Sequence, residues 1–218
     1  MAERRLREKY LRCRPVSATI NRKGGAPKKD LLRYLALAKE LGVNDAAIVK
    51  RGAWYLDPRV TLKCAVPRCR NYNACANCPP RSPRASETAE IIKEYKTGIL
   101  LRWKYPRSEA LSLTVKQRLS IYSTLASIEA AAFYDGYYFA CGFATGSCRS
   151  LCNNEGCREL VESGKGCRYP LLARPSMEAV GFDVYRTAAA AGWILHPAGG
   201  HCPDVIETLS RIAIVLVA

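Results

Sequence analysis

Residues 108–135 read SEALSLTVKQRLSIYSTLASIEAAAFYD, and they are followed by GYYFACGF over 136–143. Leu111, Val115, Leu119, Tyr122 and Ala126 recur at helical spacing, with Ile121, Leu125, Ile128 and Ala132 beside them. So wide an apolar face predicts one long helix that is largely buried. Gly136 ends it, and residues 137–143 then read as a strand. A buried helix feeding a strand is the unit from which a mixed domain is built.

The same alternation extends in both directions. Asp30 caps a periodic stretch with Leu31, Leu32, Leu35, Ala38 and Leu41 that stops at Gly42, which predicts a helix of three turns. Residues 46–49 and 60–62 read as short strands. Residues 85–96 read as a helix with Ser86 near its start and Gly98 at its C′ position, followed by a strand over 99–103. On the C-terminal side, residues 176–191 read as a helix broken near Gly181, with strands at 193–195 and 212–217. The expectation is a single α/β domain over residues 31–218 with cysteine-rich loops and a basic extension over residues 1–30. Two segments bear on localisation. Residues 1–14 carry six basic side chains with no apolar stretch behind them, and the apolar run 212–218 is too short to cross a bilayer. A cytoplasmic protein without a membrane partner is expected.

The chain has 218 residues, 34 Lys and Arg against 19 Asp and Glu, and 11 cysteines. The charge is uneven. Residues 1–60 carry 15 basic and 6 acidic side chains, residues 61–107 carry 10 and 3, and residues 108–218 carry 9 and 10. An excess confined to residues 1–107 is the footprint of a polyanion such as RNA or DNA, though a basic solvated leader has the same composition.

In a reducing compartment clustered thiols hold metal more often than one another. The first cluster is Cys64-AVPR-Cys69-RNYNA-Cys75-AN-Cys78-Pro79-Pro80, and the second is Cys148-RSL-Cys152-NNEG-Cys157 with Cys167 ten residues on. A proline after the last cysteine of a run is also a feature of bacterial ferredoxin motifs. Two sets of four suggest two metal sites. Zinc knuckles favour C-x2-C pairs, and only Cys75 and Cys78 have that spacing. The irregular gaps elsewhere favour a [4Fe–4S] cubane, whose corners loops of different lengths can reach, with zinc as the alternative.

These residues resemble an uncharacterised family of predicted metal-binding proteins of archaea and anaerobic bacteria, a domain-of-unknown-function family. The resemblance rests on Leu62-Lys63-Cys64-x4-Cys69-x2-Tyr72-x5-Cys78-Pro79-Pro80, on Gly146-Ser147-Cys148 with Cys152, Cys157 and Cys167-Arg168-Tyr169-Pro170, and on residues 173–184, ARPSMEAVGFDV. It covers residues 31–217 and implies cysteine-ligated metal, iron–sulfur first, in one or two clusters. It names no reaction. Two departures stand out: Cys75 lies where no obligatory ligand is expected, and the spacing from Cys152 to Cys167 is stretched. If Cys75 is not a ligand, Cys64, Cys69 and Cys78 form a three-cysteine site whose fourth iron is open to substrate. The second set would then carry electrons from a donor.

Three functional readings follow: an iron–sulfur protein with redox or Lewis-acid chemistry, a zinc-stabilised nucleic-acid-binding protein, and an iron–sulfur enzyme acting on RNA. Smaller signals have plain readings beside the functional ones. Arg174 is expected to pair with Glu178 one turn on rather than to bind an anion. The stretch Gly142-Phe143-Ala144-Thr145-Gly146-Ser147 lacks the spacing of a nucleotide loop and better suits hydrogen bonds to cluster sulfurs. His196, His201 and Cys202 read as a surface loop before they read as a catalytic pair. Cys13 and Cys141 have no partners in sequence, and Cys141 is expected in the core. Tyr72, Tyr137 and Tyr138 read as packing residues.

Overall fold

The computed structural model describes residues 30–110, 112–152, 157, 162–197 and 206–218. The basic extension over residues 1–29, Cys13, His201 and Cys202 lie outside the described residues. Helix α1 (Leu32–Glu40) begins as expected, with Asp30 Oδ1 accepting from the Leu32 N–H at 2.9 Å. Strand β1 (Asp45–Lys50) follows, then α2 (Pro58–Ala65), α3 (Ala85–Ile92), β2 (Thr97–Pro106), the single turn α4 (Arg107–Ala110), α5 (Val115–Tyr134), β3 (Cys141–Phe143), α6 (Val184–Ala190) and β4 (Thr208–Leu216).

The four strands form one antiparallel sheet in the order β1-β2-β4-β3, so the last strand lies inside the sheet between β2 and β3. Both faces of β2 and β4 are covered. Ile99, Leu101, Trp103, Ala213 and Val215 face α1 and α5, whereas Leu100, Ile212, Ile214 and Leu216 face Val49, Trp54, Ile92, Met177, Val180 and Phe182. Covered on both sides, a strand reads as an unbroken apolar run, which is why 212–217 is legible without alternation.

Helix α5 is buried on most sides, as its apolar pattern predicted, but it starts later. Thr114 Oγ1 accepts from the Gln117 N–H, and Gln117 Oε1 accepts in return from the Thr114 N–H, a capping box that separates α5 from α4. Other expectations are corrected. Residues 60–62 are helical, because Asp57 caps α2 and Pro58 opens it. Gly98 is a strand residue paired with Leu216, where an added Cβ would press on Ile214 Cδ1 at 3.1 Å. The strand expected over 137–143 shortens to Cys141–Phe143, and no strand forms at 193–195. Cys141 is half-buried rather than enclosed.

The break predicted near Gly181 is real: a 3-10 turn, Glu178–Val180, ends at Gly181 with φ +95° before α6 begins. A methyl group there would overlap Ala85 Cβ on α3. Gly181→Ala is therefore expected to destabilise by about 3 kcal/mol, combining left-handed strain with overpacking. Gly192→Ala, at φ +75° with no neighbour within 4 Å, is expected to cost only about 1 kcal/mol from strain. Paired chemical denaturation curves check the difference.

Candidate metal centre

Each cysteine is placed by a short, well-bonded piece of backbone. Cys64 rides on the last turn of α2, and its carbonyl accepts from the Cys69 N–H at 2.9 Å. Residues 69–82 then coil tightly. Asn73, at φ +58°, donates its N–H to the Pro79 carbonyl, and its Oδ1 accepts from Arg81 Nε at 3.0 Å. Ser82 Oγ donates to the Ala179 carbonyl at 2.9 Å, tying the end of this coil to the turn that carries Glu178. Cys148 and Cys152 lie at the two ends of a 3-10 turn that follows β3.

The two runs, distant in sequence, meet. Cys157 donates its N–H to the Ala74 carbonyl at 3.1 Å, and the Ala76 N–H donates to Cys157 Sγ at 3.0 Å. Cys75 is almost fully enclosed, 1% exposed, and lies near Cys78, with which it shares Ser147, and near Cys148 and Cys157, with which it lines one recess. Ser147 Oγ bridges the pair from the other side, 3.5 Å from Cys75 Sγ and 3.4 Å from Cys78 Sγ. Cys75, Cys148, Cys152, Cys157 and Cys167 line one recess. Cys64 and Cys69 do not line that recess, and the field of Cys69 acts on Cys64. Cysteines of both runs therefore gather in one band, in which Cys75, Cys148, Cys152, Cys157 and Cys167 share a recess.

The electrostatics follow from crowding. Hydrogen bonds from Cys148 and Cys78 hold the Cys75 thiol low, and the same bonds push Cys78 and Cys148 up, with burial adding to the rise. One thiolate flanked by two thiols is what three adjacent sulfurs adopt when no cation offsets their repulsion. Burial raises Cys64, with the fields of Cys69 and Glu178 acting in the same sense, and burial also raises Cys152.

Among the described residues, no three ligating side chains converge on a single point as they would around one bound ion. The chemistry of the donor set nevertheless fits a thiophilic metal. Every candidate donor in the band is a free cysteine, and backbone N–H groups of Asn71, Ala76 and Tyr169 point at the sulfurs of Cys69, Cys157 and Cys167 at 3.5, 3.0 and 3.3 Å. The Asn77 amide donates to Cys148 Sγ at 3.5 Å. Asn77 has no signature in sequence beyond lying between Cys75 and Cys78. Ser147, in the loop expected to serve cluster sulfurs, reaches the sulfurs of Cys75 and Cys78 through its hydroxyl.

A cleft of about 480 Å³ opens beside the first cysteine run. Pro58 and Thr61 line it from α2, Pro79 and Pro80 from beyond Cys78, and Arg84 from the start of α3. Its volume and mainly apolar wall suit a small organic molecule. His196 is exposed on the loop after α6. Tyr72 stacks under the Arg68 guanidinium at 5.3 Å, which agrees with a packing role.

Arg174 pairs with Glu129 of α5 rather than with Glu178. Two of its nitrogens reach both carboxylate oxygens, the closest at 2.6 Å, and its Nη1 and Nη2 donate to the carbonyls of Pro170, Ala173 and Leu171. Glu129 also accepts from the Gly142 N–H. This largely buried pair fastens the backbone following Cys167 to α5 and β3.

A family model described as Predicted metal-binding protein (DUF2284) matches residues 47–217. No curated protein and no solved structure matches the chain.

Removing one partner of the Arg174–Glu129 pair leaves the other charge buried, which costs about 3–5 kcal/mol. Arg174→Ala should lower the melting temperature by roughly 6–20 °C and reduce metal retention. Arg174→Lys should recover little of it, since one ammonium cannot span both carboxylate oxygens and three carbonyls. Thermal melts with metal analysis on the same samples check both statements.

Proposed function

The chain belongs to the DUF2284 family of predicted metal-binding proteins, and from that premise we propose that its two cysteine runs hold [4Fe–4S] clusters at adjoining sites. The observation that carries this reading is that Cys75, which shares Ser147 with Cys78, lines one recess with Cys148, Cys152, Cys157 and Cys167. One site takes Cys64, Cys69 and Cys78, leaving an iron without a cysteine. The other takes Cys148, Cys152, Cys157 and Cys167. Cys75 hydrogen-bonds at the seam. Exchange of sulfurs between neighbouring sites has a precedent in two-cluster ferredoxins, where the fourth cysteine of a run serves the other cluster.

A cluster held at four corners by thiolates passes electrons, and an iron free of cysteine acts as a Lewis acid. The protein's share of the work is to hold the thiolates in place with N–H donors, exclude water from Cys75 and Cys78, and admit a substrate. The cleft beside Pro79 and Pro80 supports admission of a small molecule at the three-cysteine end. Exposed Arg68 and Arg70 flank Cys69, and the whole positive excess lies in residues 1–107. Both features favour an anionic substrate or a polyanion such as RNA arriving on that side.

Anaerobic purification with iron, zinc and acid-labile sulfide analysis tests the reading. A brown protein absorbing broadly at about 400 nm, with iron and sulfide in equal amounts, is expected. A colourless protein with stoichiometric zinc overturns it and leaves the nucleic-acid-binding alternative. In Cys75→Ser, iron and sulfide per chain are expected to remain at the wild-type level. Loss of one cluster would make Cys75 a ligand and end the three-cysteine assignment.

A further inference from the structure

Arg118, in the first turn of α5, and Arg211, in β4, line one small recess that the loop after β3 closes. Two cations share it, and no acidic side chain lines it. Arg118 Nε donates to the Leu113 carbonyl at 2.9 Å, and Arg211 Nη2 donates to the Ala110 carbonyl, so one nitrogen of each guanidinium is used. The other nitrogens make no ion pair or hydrogen bond among the described residues. Burial lowers the pKa of Arg211, Glu178 opposes this through space, and the field of Arg118 adds to the fall. A guanidinium does not escape by losing its proton, so two of them held together without a counter-charge are costly until an anion joins them.

The rest of the polar lining suits the same sign of ligand. Thr145, Gly146, Ser147 and Ser150 contribute three hydroxyls and a glycine at φ +69°. The backbone N–H groups of Thr145, Gly146 and Ser147 donate to no acceptor among the described residues. Successive free N–H groups about a left-handed residue form an anion cradle. The Tyr122 hydroxyl donates to the Gly146 carbonyl at 3.1 Å and fixes this loop to α5. The recess holds about 20 Å³, more than the roughly 10–15 Å³ that one water needs. A compact ion fits there, and an organic molecule does not.

We propose that this recess is a binding site for a small oxyanion of the phosphate or sulfate class, held by Arg118, Arg211 and the loop 145–147. Two planar forks with hydroxyl and N–H donors beside them match the several acceptor oxygens of such an ion. The site stands apart from the cleft and does not depend on the cysteines binding metal. It has a consequence for them nonetheless. The 3-10 turn Cys148–Cys152 presents Ser150 to the arginine recess and Cys148, Leu151 and Cys152 to the cysteine recess. An ion bound on the arginine side braces the turn that positions the second cysteine run. Free phosphate and the terminal group of a phosphate monoester share this chemistry.

Equilibrium dialysis of the full-length protein against labelled inorganic phosphate, at constant ionic strength, compares wild type, Arg118→Gln and Lys116→Gln. The wild type is expected to saturate at one phosphate per chain, with sulfate competing. Arg118→Gln is expected to bind about 10- to 100-fold more weakly, the loss of one charged hydrogen-bonding partner. Lys116→Gln, exposed on α5 and outside the recess, is expected to stay within about twofold of wild type, because salt screens a charge at the surface. Competition by glycerol phosphate identifies the source: displacement as effective as that by phosphate supports the site with a monoester as its ligand, and weaker displacement supports it with the free ion. Absence of saturable binding overturns the proposal. So does equal affinity in wild type and Arg118→Gln, which is how phosphate held by a metal at the cysteines would behave. Should Arg118→Gln not fold, arginine modification of the wild type by phenylglyoxal decides: phosphate is expected to protect Arg118, and equal labelling of Arg118 with and without phosphate overturns the proposal.

Discussion

The structure depends on β4 lying between β2 and β3. An inner strand has both edges hydrogen-bonded and both faces covered, so the C-terminal residues of the chain form the centre of its core. With Ile212, Ile214 and Leu216 on one face and Ala213, Val215 and Val217 on the other, β4 requires an apolar layer on each side. Helices α1 and α5 form one layer. The other is assembled from Trp54, Ile92 and the segment Met177–Phe182, much of it outside helices and strands. That irregular layer brings Glu178 and Gly181 against α2 and α3, so the cleft and the first cysteine run are by-products of covering the second face.

The metal centre has the opposite energetics. Packing favours closeness everywhere, but eight thiols drawn together gain nothing from losing their protons, and Cys75 ionises only at the expense of its neighbours. The fold holds the sulfurs in this position by other means. The reciprocal bonds between Cys157 and residues 74–76 join the two runs, the Ser82 bond to Ala179 fixes the first, and the Arg174–Glu129 pair fixes the second to the core. Each of these is a hydrogen bond or ion pair in a protected setting, where it is stronger than at the surface. The scaffold thus pre-forms the approach of the two runs, and a cation supplies the offsetting charge.

How much of this was legible in sequence depends on whether the cause was local. Helix α1, the buried face of α5 and the apolar run of β4 were readable because periodicity and burial leave their mark in consecutive residues. Asp57-Pro58 also carries a local signal, an N-cap with proline at N1, which outweighs the β-branched Val60 and Thr61 that suggest a strand. Gly98 and Arg174 failed for a different reason. Their partners, Leu216 and Glu129, are 118 and 45 residues away, and nothing in the neighbouring sequence selects them over a helix C-cap or an i,i+4 pair. The cysteines themselves were visible as two sets. That Cys75 meets the second set in one recess depends on the tertiary docking of loops whose sequences carry no period.

This dependence explains why the first run sits in an open setting and the second in a closed one. The first borders the cleft enclosed by α2, the end of the coil 69–82, the first turns of α3 and Ala179. The second is backed by α5 through Tyr122, whose hydroxyl donates to the Gly146 carbonyl at 3.1 Å, and by the residues following Cys167 that Arg174 draws inward. A small molecule therefore has room beside Pro79 and Pro80, although Cys78 itself is as buried as Cys148 and Cys157. Positive charge is distributed in the same sense, concentrated in the half of the chain that carries the open end. Arg84 lines the cleft and Arg68 and Arg70 are exposed on either side of Cys69, so an anion that enters beside Pro79 and Pro80 meets cationic side chains.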